Sequence, residues 1–152
     1  MGALIICVSY HHGNTARVAA ALAEVLGARV VTPDEVAARD IEESQLIGFG
    51  SGIYAFRHHL SLLRIADELP VAGKSVFLFS TRGFGPVALY HLALKRKLES
   101  AGASVRDEFS CHGHDTNGPL SWIGGLNKGR PDADDLALAR RFAAGLLDEV
   151  RD

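Results

Sequence analysis

The sequence predicts a single α/β domain over residues 1–152, a three-layer fold around an open five-stranded parallel sheet of order 2-1-3-4-5. Three observations carry this expectation. Strand-like apolar runs alternate with segments of helical period along the chain. No linker, repeat or low-complexity tract interrupts the alternation. The first, third and fourth strands are the unbroken apolar ones and belong in the centre, whereas the second and fifth are short or alternating and belong at the edges.

The elements follow in order. Ala3 to Ser9 is a continuous apolar run, as a strand buried on both faces requires. Asn14 to Leu26 places Val18, Leu22, Val25 and Leu26 at helical spacing, and Gly27 follows as its C-cap. Ala28 to Thr32 is the short second strand. Leu46 to Ser51 is the third, followed by a loop and a helix from about His58 to Glu68. Lys74 to Thr81 (KSVFLFST) is the strongest strand, and Val87, His91, Leu94 and Leu98 mark the next helix. Residues 103–111 alternate, with Val105, Phe109 and Cys111 expected on one face. The last helix carries Leu136, Ala139, Phe142, Ala143, Leu146 and Val150, with Asp132 and Asp135 placed to cap its start.

Composition narrows the function. A chain that is 47% hydrophobic and 22% charged is globular, and a net charge of -2 supplies no basic field for nucleic acid. No apolar run approaches the roughly 18 residues of a membrane span. The start lacks the charged segment of a signal peptide, and Cys7 and Cys111 form no CxxC, so a reduced, cytoplasmic setting is expected.

In a sheet of this order the ligand sits beyond the carboxyl ends of the strands, where the order reverses. Three loops meet there. The first holds SYHHGNT (9–15), in which Gly13 permits close backbone approach and the helix starting near Asn14 turns its N–H groups toward an anion. The second, GSGIYAFRHH (50–59), and the third, STRGFG (80–85), surround aromatic residues with glycines. Together they suit a flat aromatic ligand with a phosphate tail.

These stretches resemble the flavodoxin family. Gly13-Asn14-Thr15 matches the Gly-Asn-Thr that ends the family's first loop, and Gly50 to Tyr54 resembles its Gly-Ser-x-x-Tyr loop. The resemblance implies a flavodoxin-like fold and an FMN cofactor. It implies a phosphate wrapped by Ser9, Tyr10, His11, His12, Gly13, Asn14 and Thr15. The flavin ring would lie between Ser51, Gly52, Ile53, Tyr54, Ala55 and Phe56 on one side and Thr81, Arg82, Gly83, Phe84 and Gly85 on the other. Tyr54 or Phe56, and Phe84, are the stacking candidates. His12 and Tyr10 stand where flavodoxins usually carry hydroxyls. The function so implied is electron transfer between redox partner proteins, with no catalytic side chain because the flavin carries the chemistry.

Two other readings are open to the sequence: an FMN-dependent NAD(P)H/quinone-type reductase, and a flavin-free module that binds metal through histidines. Six of the seven histidines (His11, His12, His58, His59, His112 and His114) fall in or beside the loops, and His112, His114 and Asp115 are closely spaced, but none follows a known zinc spacing. Cys7 reads as core, Cys111 as a strand thiol near the site, and Trp122 lies in a long loop of residues 112–131. A phosphoacceptor site is excluded because the first and third strands end in Ser9 and Ser51 rather than acids. A dinucleotide site is excluded because the first loop lacks GxGxxG. No Ser-His-Asp arrangement is legible in the loops. Arg57, His58, His59 and Arg82, with no acid between Gly50 and Ala66, predict a less negative flavin potential than acidic surroundings would give.

Overall fold

The computed structural model describes residues 2–10, 13–83, 85–113 and 129–151. Its elements are β1 (Ala3–Val8), α1 (Asn14–Leu26), β2 (Arg29–Val31), α2 (Ala38–Glu42), β3 (Leu46–Tyr54), β4 (Arg57–His58), α3 (Leu60–Glu68), β5 (Ser75–Arg82), α4 (Val87–Ser100), β6 (Ser104–His112) and α5 (Ala133–Arg151). The main sheet runs β2-β1-β3-β5-β6, all parallel, and β4 pairs antiparallel with β3. Setting β4 aside, this is the expected 2-1-3-4-5 order, with β2 and β6 at the edges.

Two cores explain the three layers. Leu4, Ile6, Ile47, Phe49, Val76 and Leu78 face one way, onto Leu62, Leu63 and Ala66 of α3 and Leu94 and Leu98 of α4. Ile5, Cys7, Leu46, Phe77 and Phe79 face the other way, onto Val18 and Leu22 of α1 and Ala139, Ala143 and Leu146 of α5. Consecutive strand residues serve opposite cores because side chains alternate across a strand. On the second face Gly48 and Gly50 replace side chains, which leaves room for the rings of Phe77 and Phe79. A Cβ would come within 2.3 Å of one ring and 2.2 Å of the other.

The helix boundaries follow local chemistry. Gly27 ends α1 at φ 63°, where its N–H and that of Ala28 both reach the Ala23 carbonyl. Asp132 and Asp135 cap α5 reciprocally: the Asp132 N–H donates to Asp135 Oδ2 at 2.8 Å, and the Asp135 N–H to Asp132 Oδ1 at 2.9 Å. That cap is the one the sequence placed there.

Three expectations are corrected, and one helix, α2, was not expected. The third strand does not give way to a loop at Ser51; it continues to Tyr54, turns through Ala55-Phe56 and returns as β4. The next helix begins at Leu60 rather than His58, because His59 is its N-cap and accepts the Ser61 N–H at its own Nδ1, 3.1 Å away. The five-residue α2 carries only Ile41 as a buried anchor, so it has no periodicity to read. It is held by the Ala37 N–H on Asp40 Oδ2 at 2.8 Å. Finally, Val105 does not share a face with Phe109 and Cys111. The pairing steps from Val76↔Val105 to Phe77↔Asp107, so Arg106 is an extra residue. This bulge sends Val105 to the α3/α4 core and Phe109 and Cys111 to the α1/α5 core.

Candidate functional site

Register brings the three expected loops to one level. Val8 of β1 lies beside Ser51 of β3, Ser51 beside Ser80 of β5, Gly52 beside Thr81, and Arg82 beside His112 of β6. The carboxyl edge of the sheet therefore gathers the expected residues that are described. His11, His12, Phe84, His114, Asp115 and Trp122 lie outside the described residues.

At the end of β1, Gly13 takes the left-handed conformation (φ 65°, ψ 24°) and precedes α1 without a side-chain cap. Among the described residues nothing beyond its chain neighbours lies within 4 Å of the place a Cβ would occupy there. The first turn of α1 carries no acid, which leaves the positive end of the helix dipole unopposed. The Ala16 N–H donates to Ser9 Oγ at 3.1 Å, leaving the serine's own proton available. Asn14 is buried, and its amide lies where a Cβ on Gly113 would come within 2.7 Å, so Gly113 makes room for it. Thr15 is buried and its hydroxyl bonds that of Thr81 at 2.8 Å. Two oxygens share one bond there, so the pair keeps one further proton to donate. Tyr10 is 58% exposed.

At the end of β3 the residues divide. Ser51 is fully buried; its hydroxyl donates to the Gly52 carbonyl at 2.6 Å and accepts the His59 N–H at 2.9 Å, so it braces the hairpin. Gly52 and Ile53 are half-buried. Tyr54, also half-buried, packs edge-on to His59 with ring centroids 5.1 Å apart, and Tyr10 stands 5.4 Å from the same imidazole. Ala55 and Phe56 both have positive φ, 50° and 65°, and Phe56 is 71% exposed with its ring 6.0 Å from that of Tyr90. Tyr54 and Phe56 thus face different neighbours and belong to different sides of the hairpin.

The loop after β5 is fastened to β6. The Gly113 N–H donates to the Arg82 carbonyl at 2.9 Å, and Arg82 Nη1 donates to Ser110 Oγ at 2.9 Å. His112 Nδ1 lies 3.2 Å from the Gly83 carbonyl, and Arg82 Nε donates to that of Gly85 at 3.2 Å. Gly85 has φ 106°, and a Cβ there would collide with the Tyr90 hydroxyl at 1.9 Å, so only glycine fits.

His58 and His59 are not the cations the loop after β3 was expected to hold. His58 is 1% exposed, with Nε2 2.9 Å from the Phe79 carbonyl, and burial beside His91 pushes its pKa down to about 3. It is neutral and points into the protein, because β4 turns it beneath the sheet edge. Burial and then Arg64 lower the pKa of His59. Among the described residues of the loops after β3 and β5, Arg57 and Arg82 carry the fixed positive charge. No group of three His, Cys, Asp or Glu side chains that could hold a metal occurs among the described residues. Burial pushes the Cys111 thiol up to about 12, against the opposing pull of Arg130, Arg82 and Arg17, and that of Cys7 also to about 12. Neither is a thiolate at neutral pH.

Arg17 was not singled out by the sequence. It stands in the first turn of α1, exposed, and its charge reaches Cys111 at the same end of the sheet. Arg130 reaches the same thiol but is committed to Asp135, 2.5 and 2.6 Å away in a two-pronged pair. Also unforeseen is a buried series linking Ser80, His91 and Glu108. Ser80 has no exposed surface, which rules out its acting as a nucleophile toward an external substrate.

No family model matches the chain. The uncharacterized protein MJ0298 of Methanocaldococcus jannaschii is 41% identical to it over 148 residues, which cover 97% of this chain and 99% of that protein. Among solved structures, a flavodoxin from the domain Archaea is similar with a TM-score of 0.79 at 18% identity, over 100% of both chains. Oxidised Flavodoxin 2 from Bacillus cereus gives 0.73 at 15% identity, over 98% of this chain and 99% of that one. A WrbA-like flavodoxin from Agrobacterium tumefaciens gives 0.71 at 17%, over 99% and 98%. Among the described residues no helix is long and apolar enough to cross a membrane. The chain has the flavodoxin-like fold, and it belongs to the family of the uncharacterized protein MJ0298.

Proposed function

We propose that this protein binds FMN at the carboxyl edge of the sheet and carries electrons between redox partner proteins. The observation that carries the reading is the arrangement at Gly13: a left-handed glycine with no described atom crowding its Cβ position, a helix start with no N-cap side chain and no acid, the Ser9 hydroxyl on the Ala16 N–H, and Arg17 one turn on. Each of these favours a phosphate group. Ser9, Gly13, Asn14, the Thr15–Thr81 pair and Arg17 would hold the phosphate. Tyr54 and the loop from Arg82 to Gly85 would flank the ring.

When bound, the flavin supplies the electron-accepting and electron-donating chemistry. The chain's own residues bind, orient and set the local charge. Archaeal and bacterial proteins of this fold carry the name flavodoxin, which supports the same reading.

Titration with FMN and with riboflavin, followed by flavin fluorescence, tests it. FMN should bind at least tenfold more tightly, about 1.4 kcal/mol, because only FMN offers the phosphate. Equal affinity for both would remove the phosphate cradle from the reading, and binding of neither would end it.

A further inference from the structure

Arg82 and Glu108 are joined through the interior by three neutral groups. Arg82 Nη1 donates to Ser110 Oγ at 2.9 Å, and Ser110 Oγ lies 2.8 Å from Ser80 Oγ. Ser80 Oγ lies 2.6 Å from His91 Nε2, and His91 Nδ1 lies 3.1 Å from Glu108 Oε1. Ser80 and His91 have no exposed surface.

The two ends fix the direction of every proton between them. A guanidinium only donates and a carboxylate only accepts. Ser110 therefore accepts from Arg82 and donates to Ser80, Ser80 donates to His91 Nε2, and His91 Nδ1–H donates to Glu108. The opposite order would set an unprotonated Nδ1 against the carboxylate. It would also give Ser110 no acceptor for its proton. His91 is thus the Nδ1–H tautomer. The charged and titratable groups around it are Arg82 on β5, Glu108 on β6, Lys95 on α4, 3.6 Å from Glu108, and neutral His58 on β4, with its ring 4.7 Å away. Burial and the charge of Arg82 keep His91 uncharged.

Such a series does nothing for Glu108, which is at the surface edge beside Lys95. Its effect is on Arg82. A guanidinium on a flexible stem is ordinarily free to swing, but here two of its N–H groups are spent on Ser110 and on the Gly85 carbonyl. The other three have no partner among the described residues.

We propose that Ser110, Ser80, His91 and Glu108 are positioning residues for Arg82, locking its guanidinium at the loop after β5 so that its remaining N–H groups meet an anionic part of the bound cofactor. The inference rests on the FMN reading only for what the anion is; the locking of Arg82 stands without it. Because Glu108 is held three groups away instead of pairing directly, the charge of Arg82 is not cancelled at close range.

The test has a flavin-free arm and a flavin arm. In flavin-free protein, nitrogen-15 NMR should show His91 as the Nδ1–H tautomer and a slowly exchanging Arg82 Nη1–H, the group that donates to Ser110. His91→Leu should speed that exchange by about tenfold, the loss of one charge-assisted hydrogen bond. His91→Gln, which accepts and donates in the same order, should restore it to within about threefold. Ser110→Ala, which leaves His91, Ser80 and Glu108 in place, should match His91→Leu and serves where the leucine variant does not fold. In the flavin arm, Ser110→Ala and Arg82→Gln should weaken FMN by similar factors, and the double variant no more than Arg82→Gln alone. An Nε2–H tautomer, or unchanged Arg82 exchange in Ser110→Ala, overturns the proposal. If exchange responds but no variant changes FMN binding, the locking of Arg82 holds and its role toward the cofactor is overturned. If the wild type binds no FMN, it is the cofactor reading that falls.

Discussion

The imidazoles of His58 and His91 lie 4.7 Å apart between β3–β4 and α4, and neither ring reaches solvent. Burial holds both uncharged, His58 with a pKa of about 3 and His91 with one of about 4, whereas an unfolded histidine titrates near 6.5. Folded pKa values below the unfolded ones give a stability that is complete above about pH 6.5 and is lost as pH falls toward 4. Each ring withholds up to about 2 kcal/mol between pH 7 and pH 5. Urea unfolding should therefore show a midpoint that drops markedly at pH 5, with little change from pH 7 to 8. A flat midpoint from pH 7 to 5 would mean that the rings are protonated in the native protein.

Gly13 and Gly27 form a matched pair, since both are left-handed and among the described residues nothing crowds a Cβ at either. A leucine at either costs about 1–2 kcal/mol of backbone strain. Gly27 is at the amino edge, so Gly27→Leu should leave FMN affinity unchanged, whereas Gly13→Leu should lower it at least tenfold. Equal affinities in a flavin titration would make Gly13 a turn residue only.

Gly50→Ala would drive a methyl to within 2.2 Å of the Phe79 ring. Overpacking of this kind costs about 1–3 kcal/mol. Phe79→Leu, itself destabilising, should recover part of that loss when combined with Gly50→Ala. Strict additivity of the two in thermal melts would refute the steric account.

The Ala55-Phe56 turn places two side chains in the left-handed region, where hairpins ordinarily use Asn-Gly. Replacing the pair with Asn-Gly should stabilise the hairpin by about 1–2 kcal/mol, measured as slower exchange of its amides. Because Phe56 leans on Tyr90 and is turned away from Tyr54, flavin affinity should change less than in Tyr54→Ala. A larger loss on removing Phe56 would transfer the stacking role to it.

Cys7 and Cys111 should resist a thiol reagent at pH 8 and release two equivalents only in denaturant, because burial holds both near pKa 12. Fast reaction of one thiol in the native protein would show that the carboxyl edge opens.

What the sequence could convey depended on how far apart the interacting residues are. The sheet order, the caps at Gly27 and Asp132–Asp135, and the gathering of loops at one edge all follow from local periodicity and turn chemistry. The hairpin at Ala55-Phe56 was hidden because its turn residues break the usual preference. Gly48 and Gly50 were legible as strand positions, but the phenylalanine rings they admit come from β5, and sequence spacing does not pair them. His91 was legible as a helix position, but its partners Ser80 and Glu108 come from separate strands, and no spacing rule joins them. His58 is the instructive failure: it stands beside the exposed Arg57 in a stretch that reads as basic, and only the return of β4 shows that it is buried and neutral.

The extra residue at Arg106 has a bearing on how relatives should be aligned. Upstream of it, β6 sends odd-numbered positions such as Val105 to one core; downstream, Phe109 and Cys111 supply the other. A homologue without the bulge would need a one-residue gap at this point, and each later residue of the strand would keep its side of the sheet. An ungapped comparison would instead pair residues of one core with residues of the other and score a conserved interior as divergence.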